Sequence, residues 1–559
     1  MCGIICEICY SKHSSILQDD KNLLRRLKKR GPDSSSIKII NVTDQCLVTF
    51  YGTVLWMQGT QLTPQPIENE LGVLLFNGDI FNEEWDTNKL SDTQTLLNKL
   101  SHTKGDEHQI WEVIRNLKGP FSIIYFCKET NMLYFTRDKI GRNSLLFHYD
   151  DDKILISSVL DRKYACVEIS AQSIYKFNVI TKKTTTYSWD GLDIHNGFEF
   201  AHNIWKQVIN EKTCDNIDIP CDSKDQNNII AAIESISANF KNKETILEEL
   251  LKISSIKQKL YEILRLLEKS VKIRIERQPN KCKSCIKDKI SMCDHSAVGI
   301  LFSGGLDCTV LACLANKYVP DNQSIDLMNV AFQKDNNCNY EVPDRITGKQ
   351  SLEELKIVCP KRKWIFREIN VSKEELATIR QDDIGNLLYP LQTILDENLG
   401  SALWFAARGL DATGSTSLCR IVLLGSGADE LFGGYTRHRN MYKRKGWNGL
   451  KNELQYDCGR ISYRNLARDN RIICDHGRQP RMPYLDDDFS DYVKTLEPWF
   501  RCFPTEKMEI GIGDKYMLRL VAFYLGLKQV ASFPKRALQF GSRIANKKDK
   551  GDDVSAIFK

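Results

Sequence analysis

Cys2 is the residue of this chain whose type and position best suit covalent chemistry. With Met1 removed it becomes N-terminal, and one residue then holds both a thiol nucleophile and an α-amine base of ordinary pKa about 7.7–8.0. Four other segments supply what such a thiol needs to hydrolyse an amide. Arg30-Gly31-Pro32-Asp33 offers a guanidinium able to grip a carboxylate through two hydrogen bonds. Asn77-Gly78-Asp79 offers a side-chain amide and a backbone N–H for an oxyanion. Asp79, and Asp92 in Ser91-Asp92-Thr93-Gln94, offer carboxylates for an ammonium group. Arg137-Asp138-Lys139-Ile140-Gly141-Arg142 closes the set at a strand end.

A second constellation lies far downstream. Ser303-Gly304-Gly305-Leu306-Asp307-Cys308-Thr309 separates a short apolar strand, 297–302, from a helix-like run. Its glycines permit close backbone approach, and the helix start presents N–H groups suited to pyrophosphate. Asp307 is placed to bind Mg²⁺ beside those phosphates.

The elements that must position these residues are readable from periodicity. Leu47–Tyr51, Gly72–Phe76, Phe121–Phe126, Met132–Phe135 and Ile154–Ile156 are short apolar runs between turn signals and predict strands. Helices are expected near Asp19–Arg30 and Thr93–Leu100. Residues 1–190 thus form one β-rich domain. Residues 191–255 are polar and read as a linker with some helix near Asn228–Phe240. Leu260, Ile263, Leu264, Leu267 and Val271 then fall at helical spacing, and strands alternating with helices up to about residue 440 predict an α/β domain with a parallel sheet. This second domain runs over 256–545 with a helical C-terminal part, and the charged tail 546–559 is expected to fray.

At roughly 100–200 residues per domain, 559 residues allow two to four domains, as this division requires. With 42% hydrophobic and 27% charged residues the composition is that of a globular protein. No apolar run approaches the ~18 residues of a bilayer span, and the first residues lack the basic region of a secretory signal. The cytoplasm is the expected location, where the 19 cysteines stay reduced. A net charge of +6 over this length is weak support for nucleic acid, so neither nucleic acid nor membrane is an expected partner. His438, in Arg437-His438-Arg439, reads as part of a surface or phosphate-side basic cluster and not as a catalyst. Cys282-x-x-Cys285 has metal-ligand spacing, but Cys293 and His295 stand only two apart, so the segment reads as a loop with free thiols.

In order and spacing, the segments around Cys2, Arg30, Asn77, Asp92 and Arg137 resemble the class II glutamine amidotransferase domain over about residues 2–165. That resemblance implies an α+β N-terminal-nucleophile fold, an αββα sandwich, hydrolysing glutamine through a γ-glutamyl thioester on Cys2. Arg30 would bind the α-carboxylate, Asp92 the α-amine, and Asn77 and Gly78 the oxyanion. The family usually has Glu where this chain has Asp79.

Ser303–Asp307 resembles the PP-loop of ATP pyrophosphatases. Leu424-Gly425-Ser426-Gly427-Ala428-Asp429-Glu430-Leu431-Phe432-Gly433-Gly434-Tyr435 and His476-Gly477-Arg478-Gln479-Pro480-Arg481 resemble segments of the asparagine synthetase family. The resemblance implies an adenine nucleotide α-hydrolase-like α/β domain. Ser303, Gly304, Gly305, Asp307, Cys308 and Lys515 would hold ATP, and Asp307 and Asp429 would hold Mg²⁺. Ammonia from Cys2 would amidate an adenylated aspartate, and the protein could form a homodimer. The pattern breaks on the acceptor side. Ser426 and Gln479 stand where synthetases carry Glu, and so does Gln392 on one register. Two further readings therefore stay open: a scaffold that retains glutamine or ATP binding, and a ligase for another carboxylate.

Overall fold

The structure is a computed structural model that describes residues 2–10, 15–85, 89–150, 152–191, 195–198, 224–290, 293–334, 339–509, 511–545 and 549–559. In the N-terminal half, two antiparallel sheets face one another. The first has the spatial order Cys166–Glu168, Leu146–Asp150, Lys153–Ser157, Gly3–Cys9, Cys46–Val54, Ser34–Thr43. The second runs His195–Phe198, Thr184–Ser188, Ser173–Asn178, Met132–Arg137, Phe121–Cys127, Gly72–Gly78, Ile67–Glu68. Strand side chains alternate between faces. Val73 and Leu75 therefore enter the core between the sheets with Ile4, Ile8, Phe50 and Phe126. Leu74 and Phe76 point the other way, onto Leu96, Leu97, Ile110 and Ile114 of the helices Asp92–His102 and Glu107–Arg115. Helix Lys21–Arg30 buries Leu23 and Leu27 against the outer face of the first sheet. The order of layers is helix, sheet, sheet, helix.

The C-terminal half is built on a five-stranded sheet in which every pair is parallel: Trp364–Val371, Ile325–Phe332, Val298–Leu301, Ile421–Leu423, Gln479–Arg481. From the central strand Val298–Leu301 the chain builds outward on one side, then returns to build on the other. The loops after Leu301 and Leu423 consequently diverge and open a crevice at the C-terminal ends of the strands, where such sheets bind ligands.

Each strand and helix expected from periodicity meets an observed element, though the helix expected over 19–30 is split at Asp20 into Ile16–Asp19 and Lys21–Arg30, and the strand expected over 297–302 shortens to Val298–Leu301. The linker and the tail need correction. Of the segment 191–255, residues 199–223 lie outside the described residues, but helices Lys224–Asn239 and Lys243–Leu250 are part of the C-terminal core. Ile233, Ile246, Leu247 and Leu250 are fully buried there beside Leu260 and Phe503. The tail is docked: Ser555 is buried, its Oγ donates to Glu397, and its N–H donates to the Gln392 carbonyl at 2.8 Å. His438 is also buried, held by Asp457 Oδ2 at 2.7 Å. Among the described residues no helix is long and apolar enough to cross a membrane.

The two halves share one apolar cluster, in which Ile5, Leu23, Leu27 and Leu155 pack with Met328, Leu388, Phe405 and Ile472. A polar seam surrounds it: Arg142 with Asp487 (3.0 Å), Arg420 with Asp33 (2.8 Å), Arg471 with Glu168, and Arg481 with Asp79 (2.8 Å).

Candidate active sites in both halves

Cys2 stands at the start of the central strand of the first sheet, and that strand lies across from Gly72–Gly78. By strand parity Asn77 faces the same interlayer as Val73 and Leu75, toward the Cys2 end. Gln65 ties the two strands together. Its Nε2 donates to Cys2 Sγ at 3.6 Å and to Thr93 Oγ1 at 3.4 Å, while its Oε1 accepts from the Phe76 N–H at 2.7 Å. Asp92, the first residue of the helix that Ser91 caps, accepts from the Thr93 N–H at 2.7 Å. Arg30 ends helix Lys21–Arg30 and donates to the Cys2 carbonyl at 3.4 Å. Gln65, a residue without any sequence signal, thus links Cys2 to Phe76 and Thr93, the chain neighbours of Asn77 and Asp92, while Arg30 reaches Cys2 directly. The Arg137–Arg142 segment joins the seam instead: Arg137 donates to the Ser462 carbonyl at 2.9 Å.

The electrostatics of this cluster follow from burial. Burial pushes the Cys2 thiol up, so it is neutral until a base takes its proton. Burial, and next the charge of Asp79, raise Asp92 to about 7. Burial also pulls the Arg30 guanidinium down, and its Nη1 has no hydrogen-bond partner among the described residues. An α-amino acid, with a carboxylate for Arg30 and an ammonium for Asp92, offsets both costs. Asp79 is differently placed. Fully buried, it accepts from Gln58 Nε2 (3.1 Å), Gln479 Nε2, Arg481 Nε (3.0 Å) and Arg481 Nη2 (2.8 Å). Gln479, expected on the acceptor side, therefore lies beside Asp79 in the N-terminal half.

In the C-terminal half a cavity of about 630 Å³ opens at the crevice, lined by Ser303, Gly305, Asp307, Cys308, Ser426, Asp429 and Lys515 among others. Gly304 adopts φ +77°, and a Cβ there would come within 2.4 Å of Gly348 N, so only glycine permits this turn. Lys515 Nζ binds both oxygens of Asp307 at 2.8 Å and Asp429 Oδ1 at 2.9 Å. Burial opposes its charge, but the two carboxylates outweigh burial and raise its pKa. Against burial, Lys515 and Lys535 hold Asp429 down at about 2, whereas burial and then Asp429 push Asp307 up. Two carboxylates converging on one point are a hard-oxygen donor set, and a Cβ at Gly425 would stand 2.9 Å from Asp307 Cβ, filling the approach. The donors fit Mg²⁺ beside phosphates. Cys308 turns inward and donates to the Gly305 carbonyl at 3.3 Å. Sequence reasoning missed two acids on this wall, Glu430 and Asp344, each raised to about 7, first of all by burial.

Helix Ala467–Cys474 touches both sites. Arg468 and Asp469 line the cavity of the C-terminal half. Asn470 accepts from Arg30 Nη2 at 3.1 Å and donates to Asn143 Oδ1 at 3.0 Å, and Asn143 in turn donates to the Asn77 carbonyl at 2.7 Å.

Fold and sites together define a glutamine amidotransferase domain joined to an asparagine synthase-type domain. Residues 1–188 match the family described as glutamine amidotransferase domain, and residues 289–448 the one described as asparagine synthase. The chain is 37% identical over 591 aligned residues to asparagine synthetase domain-containing protein CG17486 of Drosophila melanogaster, covering 99% of this chain and 100% of that one. It is 35% identical to asparagine synthetase domain-containing protein 1 of Homo sapiens, covering 98% and 95%. Identity to a putative glutamine-hydrolyzing asparagine synthetase of Methanocaldococcus jannaschii is 23%, covering 85% and 75%. The chain belongs to the family of asparagine synthetase domain-containing proteins.

Proposed function

We propose that the chain is a glutamine-dependent amidotransferase that amidates an ATP-activated carboxylate, with aspartate the first candidate. The observation that carries the reading is helix Ala467–Cys474, on which consecutive residues serve the cavity (Arg468, Asp469) and the cysteine cluster (Asn470). In the glutaminase step, Arg30 and Asp92 hold the α-carboxylate and α-ammonium of glutamine. The α-amine of Cys2, with Met1 removed, takes the thiol proton as sulfur attacks the side-chain carbonyl. Asn77 and Gly78 donate to the oxyanion, ammonia leaves with the proton, and water hydrolyses the thioester. In the second half, the acceptor carboxylate attacks the ATP α-phosphate and pyrophosphate leaves against Lys515 and the glycine loop. Mg²⁺ held by Asp307 and Asp429 would neutralise phosphate charge. Ammonia then displaces AMP from the acyl adenylate. Cys2→Ala tests the coupling: glutamine-dependent amide formation should vanish while ammonia-dependent formation persists. Equal activity of Cys2→Ala and wild type with glutamine would refute it.

A second reading draws on Asp79 and Ser426. Arg481 neutralises the carboxylate nearest Asp92, and the cavity wall carries Ser426 where synthetases have Glu. On this reading the protein is a scaffold that binds nucleotide without forming amide. ATP-protected melting with no pyrophosphate release under any acceptor would favour it.

A further inference from the structure

Cys282, Cys285, Cys293 and His295 converge at a place that none of this chemistry uses, although their spacing reads as a loop with free thiols. Cys282 caps the short helix Lys283–Lys287, Cys285 lies on that helix, and the chain returns to bring Cys293 and His295 opposite. The three Sγ atoms and one imidazole nitrogen lie within 4.8 Å of one another. His295 Nδ1 is 3.5 Å from Cys285 Sγ and 3.8 Å from Cys293 Sγ. A tetrahedral Zn²⁺ with Zn–S about 2.3 Å and Zn–N about 2.0–2.1 Å spaces its ligands by about 3.6–3.8 Å.

Two backbone donors already point at the sulfurs. The Cys285 N–H donates to Cys282 Sγ at 3.4 Å, and the Cys282 N–H donates to Cys293 Sγ at 3.3 Å. The three cysteines are buried, while the His295 side chain is 52% exposed and leaves a way in from solvent. We propose that these four residues bind one Zn²⁺. Three sulfur ligands and one imidazole select zinc over the oxygen-seeking Mg²⁺. Four protein ligands close the coordination shell, so the role is structural.

The surroundings indicate what the ion would hold together. Gln323 Nε2 donates to the Cys293 carbonyl at 3.1 Å, the Lys283 N–H donates to the Leu418 carbonyl at 3.0 Å, and Lys283 Nζ donates to the His476 carbonyl. The cluster thus clips the start of central strand Val298–Leu301, which leads into the glycine loop, to the segment that carries Gln479 and Arg481 to Asp79.

The test uses the full-length reduced protein passed through chelator-treated buffer. Elemental analysis should find one zinc per chain. Co²⁺ added to metal-stripped protein should give the intense visible bands of tetrahedral thiolate coordination. His295→Ala removes an exposed side chain and should leave the circular dichroism unchanged while weakening zinc retention at least about tenfold, the loss caused even by altering a ligand's hydrogen-bond partner. Cys282→Ser/Cys285→Ser should abolish it. No zinc and no cobalt spectrum, iron in place of zinc, or zinc retained equally by the double variant would each overturn the proposal.

Discussion

Replacing Arg481 by Met probes the joint between the two halves. Arg481 and Asp79 are both fully buried, and two of the hydrogen bonds on the Asp79 carboxylate come from Arg481, at 2.8 and 3.0 Å. Removing the guanidinium leaves a buried carboxylate with Gln58 and Gln479 as its remaining donors. Breaking one partner of such a pair costs about 3–5 kcal/mol, because the remaining charge is uncompensated. For a unit of 150–250 residues, 1 kcal/mol moves the melting point by about 2–4 °C, so calorimetry should show a drop of roughly 6–20 °C. The double variant Asp79→Leu/Arg481→Met removes both charges and should recover most of that loss, since paired charges replaced by apolar groups are often neutral. A single variant melting within about 2 °C of wild type, or a double variant no better than the single, would refute the reasoning.

Asp92 should impose a pH dependence on glutamine use. Burial and Asp79 raise its folded pKa to about 7, above its unfolded value near 4, so the penalty of its charge is absent at low pH and fully present above pH 7. An ammonium ligand offsets that penalty, so KM for glutamine should fall as pH rises through about 7, and Asp92→Asn should flatten the profile. Lys515→Met leaves Asp307 and Asp429 facing one another without their shared cation, and pyrophosphate release should drop at least about 100-fold. Asn470→Leu deprives Arg30 Nη2 of its acceptor. It should raise KM for glutamine roughly 10- to 150-fold, as loss of a buried charged hydrogen bond of about 1.5–3 kcal/mol predicts, with ammonia-dependent turnover less affected.

Much of the fold was legible because its physical signals are local. Strands such as Phe121–Phe126 are short apolar runs between turns, and most of the candidate site residues sit at the ends of strands or helices, where such residues leave a readable motif. What escaped depended on distant partners. Ser555 looks like part of a charged tail until its hydroxyl meets Glu397. Ile233 and Leu247 are dispersed among polar residues, and only the apolar surface of the second domain explains their burial. Gln479 seemed a lost acceptor carboxylate, whereas it donates to Asp79 from another domain. The closeness of Cys293 and His295 to Cys282 and Cys285 likewise depends on how the chain folds back, which no periodicity encodes.

The most direct measurement incubates the pure protein with ATP, Mg²⁺, aspartate and glutamine labelled at its side-chain nitrogen. The account predicts pyrophosphate release and label in the β-amide of asparagine, or in another amide if a different carboxylate is the acceptor. Glutamate and pyrophosphate formed with all label left in free ammonia, across every acceptor offered, would contradict transfer between the halves.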